Sequence, residues 1–190
     1  MEKSNSKLTK KKYEELDKLA LQFRIDYNLV DEKIDFFALM DILGIKLVKY
    51  SELNYKQKKV IKHYTLSDDA FTVRNNDLTV IFYNDEKNEN RIRFSLAHEI
   101  KHYIKGETDC NEIIEMEANH FARQLLAPTC LVMKYIDCEE EKISDVFGLS
   151  IEASKYALLQ AKNRNQYNFI KPSKEEKEFL DLFKKTHKNT

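Results

Sequence analysis

The chain has 190 residues with 32 Lys+Arg and 32 Asp+Glu, so its formal net charge is zero with histidines neutral. Apolar residues make up 42% of it, including 11 Phe and 10 Tyr, too rich a supply for a disordered chain. The longest apolar run, Phe36-Phe37-Ala38-Leu39-Met40, is far short of the roughly 20 residues a membrane helix needs, and balanced charge gives no general pull toward nucleic acid or anionic lipid.

Leu16, Leu19, Ala20, Phe23 and Tyr27 recur at helical steps, which predicts a helix from about Leu8 to Tyr27. A shorter helix is expected at about Asp35–Leu43, with Gly44 at its C-terminal cap. Ile45–Tyr50 reads as a strand, whereas Ser51–Asp69 is polar and its local structure is hard to assign from sequence. Two β-like runs follow, Ala70–Arg74 and Leu78–Tyr83, separated by the turn-forming Asn75-Asn76-Asp77. After a polar loop the chain reads as helical at about Arg91–Lys105, Glu112–Leu126, Thr129–Tyr135, Glu140–Phe147 and Ile151–Arg164. Beyond Pro172, a Lys/Glu-rich segment with Phe179, Leu180 and Phe183 reads as a peripheral helix or a frayed tail. The pattern predicts an α+β fold, a small mixed or antiparallel sheet packed on a helical bundle.

Three cysteines, Cys110, Cys130 and Cys138, argue against both a disulfide framework and a cysteine-based zinc knuckle. With no apolar signal core near the N-terminus, a reduced, cytoplasmic chain is expected.

The informative segment is Ser95-Leu96-Ala97-His98-Glu99-Ile100-Lys101-His102. His98 and His102 are four apart, so on a helix both imidazoles project from one face and can reach one Zn²⁺ at about 2.0–2.1 Å. Glu99 flanks the metal, where it could accept a proton from a water held there. Phe94, Ala97, Ile100, Tyr103 and Ile104 would supply apolar contacts, leaving Arg91, Arg93 and Lys105 in water.

A catalytic zinc needs three protein ligands and one open position. Glu115, on the Glu112–Leu126 helix, is the expected third ligand, and Asn119, one turn on, is placed to hydrogen-bond a ligand's outer nitrogen. Glu112 and Glu117 are rivals. Glu117 lies about 200° round the helix from Glu115 and should face away, while Glu112 sits a turn earlier.

Arg93-Phe94-Ser95-Leu96-Ala97-His98-Glu99-Ile100-Lys101-His102-Tyr103, with Glu115-Met116-Glu117-Ala118-Asn119-His120-Phe121-Ala122 and Leu125-Leu126-Ala127-Pro128, resembles the ImmA/IrrE family of zinc metallopeptidases. The resemblance implies a gluzincin-like HExxH helix, zinc on His98, His102 and Glu115, and Glu99 as the catalytic base. It implies an organisation of N-terminal helix (1–30), metallopeptidase core (31–137), helix-turn-helix-like helices (138–166) and polar C-terminal segment (167–190). Lys101 stands where the family usually has Gly, and Ser67-Asp68-Asp69-Ala70 lacks the family's Gly-containing turn.

The expected chemistry is zinc-assisted peptide hydrolysis, with Glu99 taking the water's proton and passing it to the leaving amine. Tyr103, His120 and Arg123 are candidate donors to the oxyanion. A substrate is expected to lie along the free edge of the Leu78–Tyr83 strand, beside Leu78, Val80 and Phe82, so that Val80→Pro would weaken cleavage and spare the metal. The family resemblance implies a protein substrate such as a helix-turn-helix repressor of a phage, mobile element or stress response. The alternatives are a zinc-containing regulator that sequesters its repressor without cutting it, and a zinc-stabilised DNA-binding module. Between Glu139 and Arg164 five acids face four bases, so a packing subdomain is expected there and direct nucleic-acid binding is not. Lys7–Lys12 and Lys171–Lys188 read as solvated termini, His63 and His187 as ordinary polar residues, and Cys110 as a buried thiol.

Overall fold

The computed structural model describes residues 7–64, 68–75, 78–106, 111–166 and 171–187. In chain order the described elements are α1 (Lys10–Asp26), α2 (Phe36–Ile42), β1 (Ile45–Lys49), α3 (Tyr55–Tyr64), β2 (Ala70–Arg74), β3 (Thr79–Tyr83) and α4 (Glu89–Lys105). They continue with α5 (Glu112–Leu126), α6 (Thr129–Val132), α7 (Glu140–Phe147), α8 (Ile151–Gln166) and α9 (Lys174–His187). The chain divides into two units, residues 35–108 and residues 1–34 with 109–190. A small mixed sheet with helices against it gives the α+β class that the sequence pattern predicts.

In unit 35–108 the strands lie in the order β1-β3-β2. β1 pairs parallel to β3, and β2 pairs antiparallel to it. The expected free edge at Leu78–Tyr83 is therefore corrected: this is the central strand. Val80 is paired with Lys46 on one side and Val73 on the other, Phe82 with Val48 and Phe71, and Leu78 precedes the strand. Both hydrogen-bonding sides of β3 are filled by the chain itself, and the sheet's edges are β1 and β2. Alternation of side chains tells which residues share a face; it carries no information on the lateral order of strands. Proline at Val80 would remove a ladder bond from the middle of the sheet rather than perturb a substrate selectively.

Caps set the helix boundaries. The Asp35 carboxylate accepts from the Phe37 and Ala38 amides at 3.0 and 3.1 Å, starting α2. Gly44, at φ +67°, lets the chain turn out of it into β1. The polar stretch 51–69 contains α3, opened by a reciprocal cap. The Gln57 amide donates to Asn54 Oδ1 at 3.0 Å, and the Asn54 amide to Gln57 Oε1 at 2.9 Å.

α4 packs on β2, β3 and α2. Its buried face includes Arg93, Leu96, Ala97 and Ile100, which recur at helical spacing. Arg93 is thus not in water, as the sequence led us to expect. It is buried, its guanidinium lies 5.3 Å from the centre of the Phe36 ring, and burial lowers its pKa against the opposing pull of Glu89 and Asp35. Lys101, at the position where the family usually has Gly, is fully buried.

In the other unit, α1 packs on α5 and α9, and α8 on α6 and α7. Phe121, Leu125, Leu131, Ile143, Phe147 and Phe179 are all 0% exposed. Arg24 is also 0% exposed, and its guanidinium holds three chain segments. Nε and Nη1 donate to the Leu29 and Leu125 carbonyls, each at 2.9 Å, and Nη2 donates to the Asp31 carbonyl. Its face lies 5.1 Å from the Phe179 ring centre. A buried cation is tolerated because carbonyl dipoles and an aromatic face replace its hydration. Glu176 pairs with Arg164 through Oε1–Nη1 and, at 2.7 Å, Oε2–Nη2. The segment after Pro172 is therefore a docked helix with Phe179 and Phe183 buried.

Arg24→Leu leaves three carbonyls short of a charge-assisted donor and is expected to lower the unfolding free energy by about 3 kcal/mol or more. Arg24→Lys should recover little of it, because one ammonium cannot reproduce the planar fork. Urea unfolding of both variants measures the difference.

Candidate metal centre and base

α4 is a 17-residue helix capped at both ends. The Asn88 side chain accepts from the Arg91 amide at 2.9 Å, and Gly106, at φ +63°, closes the C-terminus. His98 and His102 project one turn apart from this rigid rod. Their Nε2 atoms lie 3.0 Å from each other, with ring centroids 4.9 Å apart. Two ring nitrogens so close must share a proton or face a common cation, and 3.0 Å is spanned by two metal–nitrogen bonds of about 2.0–2.1 Å. His102 is in the last turn of α4, where the exposed end of the helix dipole further favours positive charge. The donor set fits a divalent metal.

Glu99, between the two histidines in sequence, is only 7% exposed. One of its carboxylate oxygens, Oε2, accepts a hydrogen bond from Thr72 Oγ1 at 2.7 Å. This is the middle of three bridges between β2 and α4. Before it, Arg91 Nη2 donates to Asp69 Oδ2 at 2.5 Å. After it, Arg74 Nη1 meets the Tyr103 carbonyl at 3.5 Å, and the guanidinium lies 5.4 Å from the Tyr103 ring centre. The spacings match: five residues of extended chain from Asp69 to Arg74 cover about 17 Å, and twelve of helix from Arg91 to Tyr103 about 18 Å. Strand and helix run side by side in one direction, so the pairs fall in step.

Tyr50 is a second neighbour of this carboxylate. Its hydroxyl is buried without a hydrogen-bond partner among the described residues. Burial first, then the charges of Glu99, Asp68 and Asp69, pushes it up to about 12, so the phenol keeps its proton at any physiological pH. Neither Thr72 nor Tyr50 was singled out from the sequence. A threonine in a strand and a tyrosine after one carry no local signal of which helix they face.

Glu115 and Asn119 lie on α5, capped by Asn111, whose side chain accepts from the Ile113 and Ile114 amides at 3.0 Å. Both are half-buried, whereas the rival Glu112 is exposed. The other rival, Glu117, lies 3.6 Å from Lys12 Nζ on α1, the direction that its angle around the helix implies. The candidate oxyanion donors have local partners. Tyr103 Oη is 3.5 Å from the Leu43 carbonyl. His120 Nε2 is 2.6 Å from Asp17 Oδ1, and Arg123 lies over the Tyr156 ring at 5.1 Å. Leu78, Val80 and Phe82 belong to the central strand and the turn before it; Phe82 stacks on Phe71 at 4.9 Å. Cys110 and the Ser67 turn position lie outside the described residues. Burial pushes the Cys130 thiol up to about 12, which leaves it unreactive.

The model of the M78 peptidase family, described as the IrrE N-terminal-like domain, matches residues 43–159. No curated protein and no solved structure matches the chain. Among the described residues, no helix is long and apolar enough to cross a membrane.

The Arg91 hydrogen bond, helped by the Arg91 and Lys87 charges, holds the Asp69 carboxyl below its usual 3.8 although partial burial opposes it. A depressed folded-state pKa adds stability that is present above the unfolded value and lost as pH falls through the folded one. Asp69→Asn should therefore destabilise by up to about 1 kcal/mol at pH 6, the pair being partly exposed. The difference from wild type should shrink once pH falls below 3.8 and be lost as pH passes through the depressed folded-state value. Urea midpoints measured across this range test the sign.

Proposed function

The chain belongs to the M78, or ImmA/IrrE-like, peptidase family, and we propose that it is a cytoplasmic zinc metallo-endopeptidase making a site-specific cut in a protein substrate. The observation that carries this reading is the convergence of His98 and His102 on one point, with a buried carboxylate, Glu99, held on the residue between them. His98, His102 and Glu115 form a group able to hold a metal ion. His98 Nε2, His102 Nε2 and a Glu115 carboxylate oxygen would bind it, and the Asn119 amide would orient a ligand by hydrogen-bonding its outer atom. When bound, zinc supplies a Lewis acid that polarises the scissile carbonyl and acidifies a water.

The chain's own proton chemistry falls to Glu99. Its carboxylate accepts a proton from the attacking water and returns it to the nitrogen of the leaving amine, so it ends the cycle as it began. A carboxylate can do this only from a fixed position, and the Thr72 hydroxyl holds one of its oxygens. For the substrate we take a helix-turn-helix repressor, on the strength of the family resemblance.

The test is to mix the purified chain, Zn²⁺ and the repressor encoded beside it and to measure intact masses. One discrete, chelator-sensitive cut is expected. Glu99→Gln should retain zinc and lose about 10²–10⁴-fold in rate, and Glu115→Ala should weaken zinc binding. A Glu99→Gln protein that still relieves repression as wild type does would mean that the chain sequesters its partner without cutting it.

A further inference from the structure

We propose that Thr72 is a positioning residue for the Glu99 carboxylate, an assignment that rests on the peptidase reading above. α4 by itself places His98 and His102, because two side chains four residues apart on a helix share a face. It does not place the Glu99 carboxylate, which sits at the end of three rotatable bonds. A second element has to fix it, and that element is β2. Thr72 Oγ1 donates to Glu99 Oε2 at 2.7 Å, which fixes the plane of the carboxylate.

The hydroxyl is itself well anchored. Threonine is branched at Cβ and stiff at χ1. Its backbone is opposite Ile81 in the β2–β3 ladder, and Ile81 is 0% exposed, so neither strand can turn its face over. Phe71 and Val73 point to the other side of the sheet by the strand's alternation. The bridges at Asp69–Arg91 and Arg74–Tyr103 hold β2 along α4 on either side of the contact. A merely structural role, fastening strand to helix, would make Thr72 equivalent to Arg74. A positioning role separates them, because Thr72 touches the base and Arg74 does not.

The experiment uses the full chain loaded with Zn²⁺ as wild type, T72V, T72S, R74Q and E99Q. The probe is a proteome-derived peptide library read by mass spectrometry, followed by kinetics on the best-cut peptide made synthetically. T72V, nearly isosteric, is expected to lower kcat about 10–100-fold, the range that slight misplacement of a reacting group produces. KM and zinc affinity, the latter by chelator competition, should stay within about twofold of wild type on the same ground. T72S should restore most of kcat, and R74Q, which loosens the strand without touching Glu99, should lower the melting temperature and reduce kcat less than T72V does. Wild-type kcat in T72V, a T72S no better than T72V, or zinc affinity falling in step with kcat each overturns the assignment. So does a crystal structure of the zinc-loaded wild type with Glu99 turned away from Thr72, whether or not any peptide is cut. If wild type cuts nothing, or E99Q cuts as fast, the peptidase reading fails, and Thr72 then has no base to serve.

Discussion

Three side-chain bridges, Asp69–Arg91, Thr72–Glu99 and Arg74–Tyr103, lay β2 along α4, and the chemistry of unit 35–108 depends on that registration. A slip of one residue in β2 would put Phe71 or Val73 opposite Glu99 and send the threonine hydroxyl to the far face, because strand side chains alternate. The slip is opposed from within the sheet. Thr72 and Ile81 are paired, Ile81 is fully buried, and turning that face outward would expose an apolar stripe. Hydrophobic burial thus fixes the register, and the register fixes a hydrogen bond to a carboxylate.

The other unit solves a similar problem by different means. The rotation of α5 about its axis is set against α1. Glu117 meets Lys12, His120 meets Asp17, and the Leu125 carbonyl accepts from the buried Arg24. With those residues committed to α1, Glu115 and Asn119 occupy a different face of the same helix. The partly exposed Lys12–Glu117 pair contributes little energy. The weight falls on the Arg24 cluster and on the apolar residues beneath it, Ala20, Phe121 and Leu125, all 0% exposed.

The gaps in what could be read from the chain have physical causes. α3 carries a usable signal, Asn54 and Gln57 at cap spacing, in a stretch whose polarity conceals the helix. Arg93 was placed in water on the strength of its charge, although its spacing from Leu96 and Ile100 put it on the buried face; the Phe36 ring makes that burial tolerable. The residues of Leu78–Tyr83 read as a strand, but nothing in them distinguishes an edge strand from the central one it is. Lateral order depends on where the crossover from β1 returns, and no periodicity records that.

What the sequence determined by itself are the features set by local geometry. Two histidines four apart share a helix face whatever the helix packs on, a residue about 200° away cannot share it, and glycine after a helix ends it. Together with the flanking residues, these were enough to identify the family and to nominate His98, Glu99, His102 and Glu115. Tertiary structure alone decided which hydroxyl meets Glu99, which strand lies in the middle of the sheet and which cation is buried. Each of these joins residues far apart in the chain through packing, and a pairing of that kind exists only once the chain has folded.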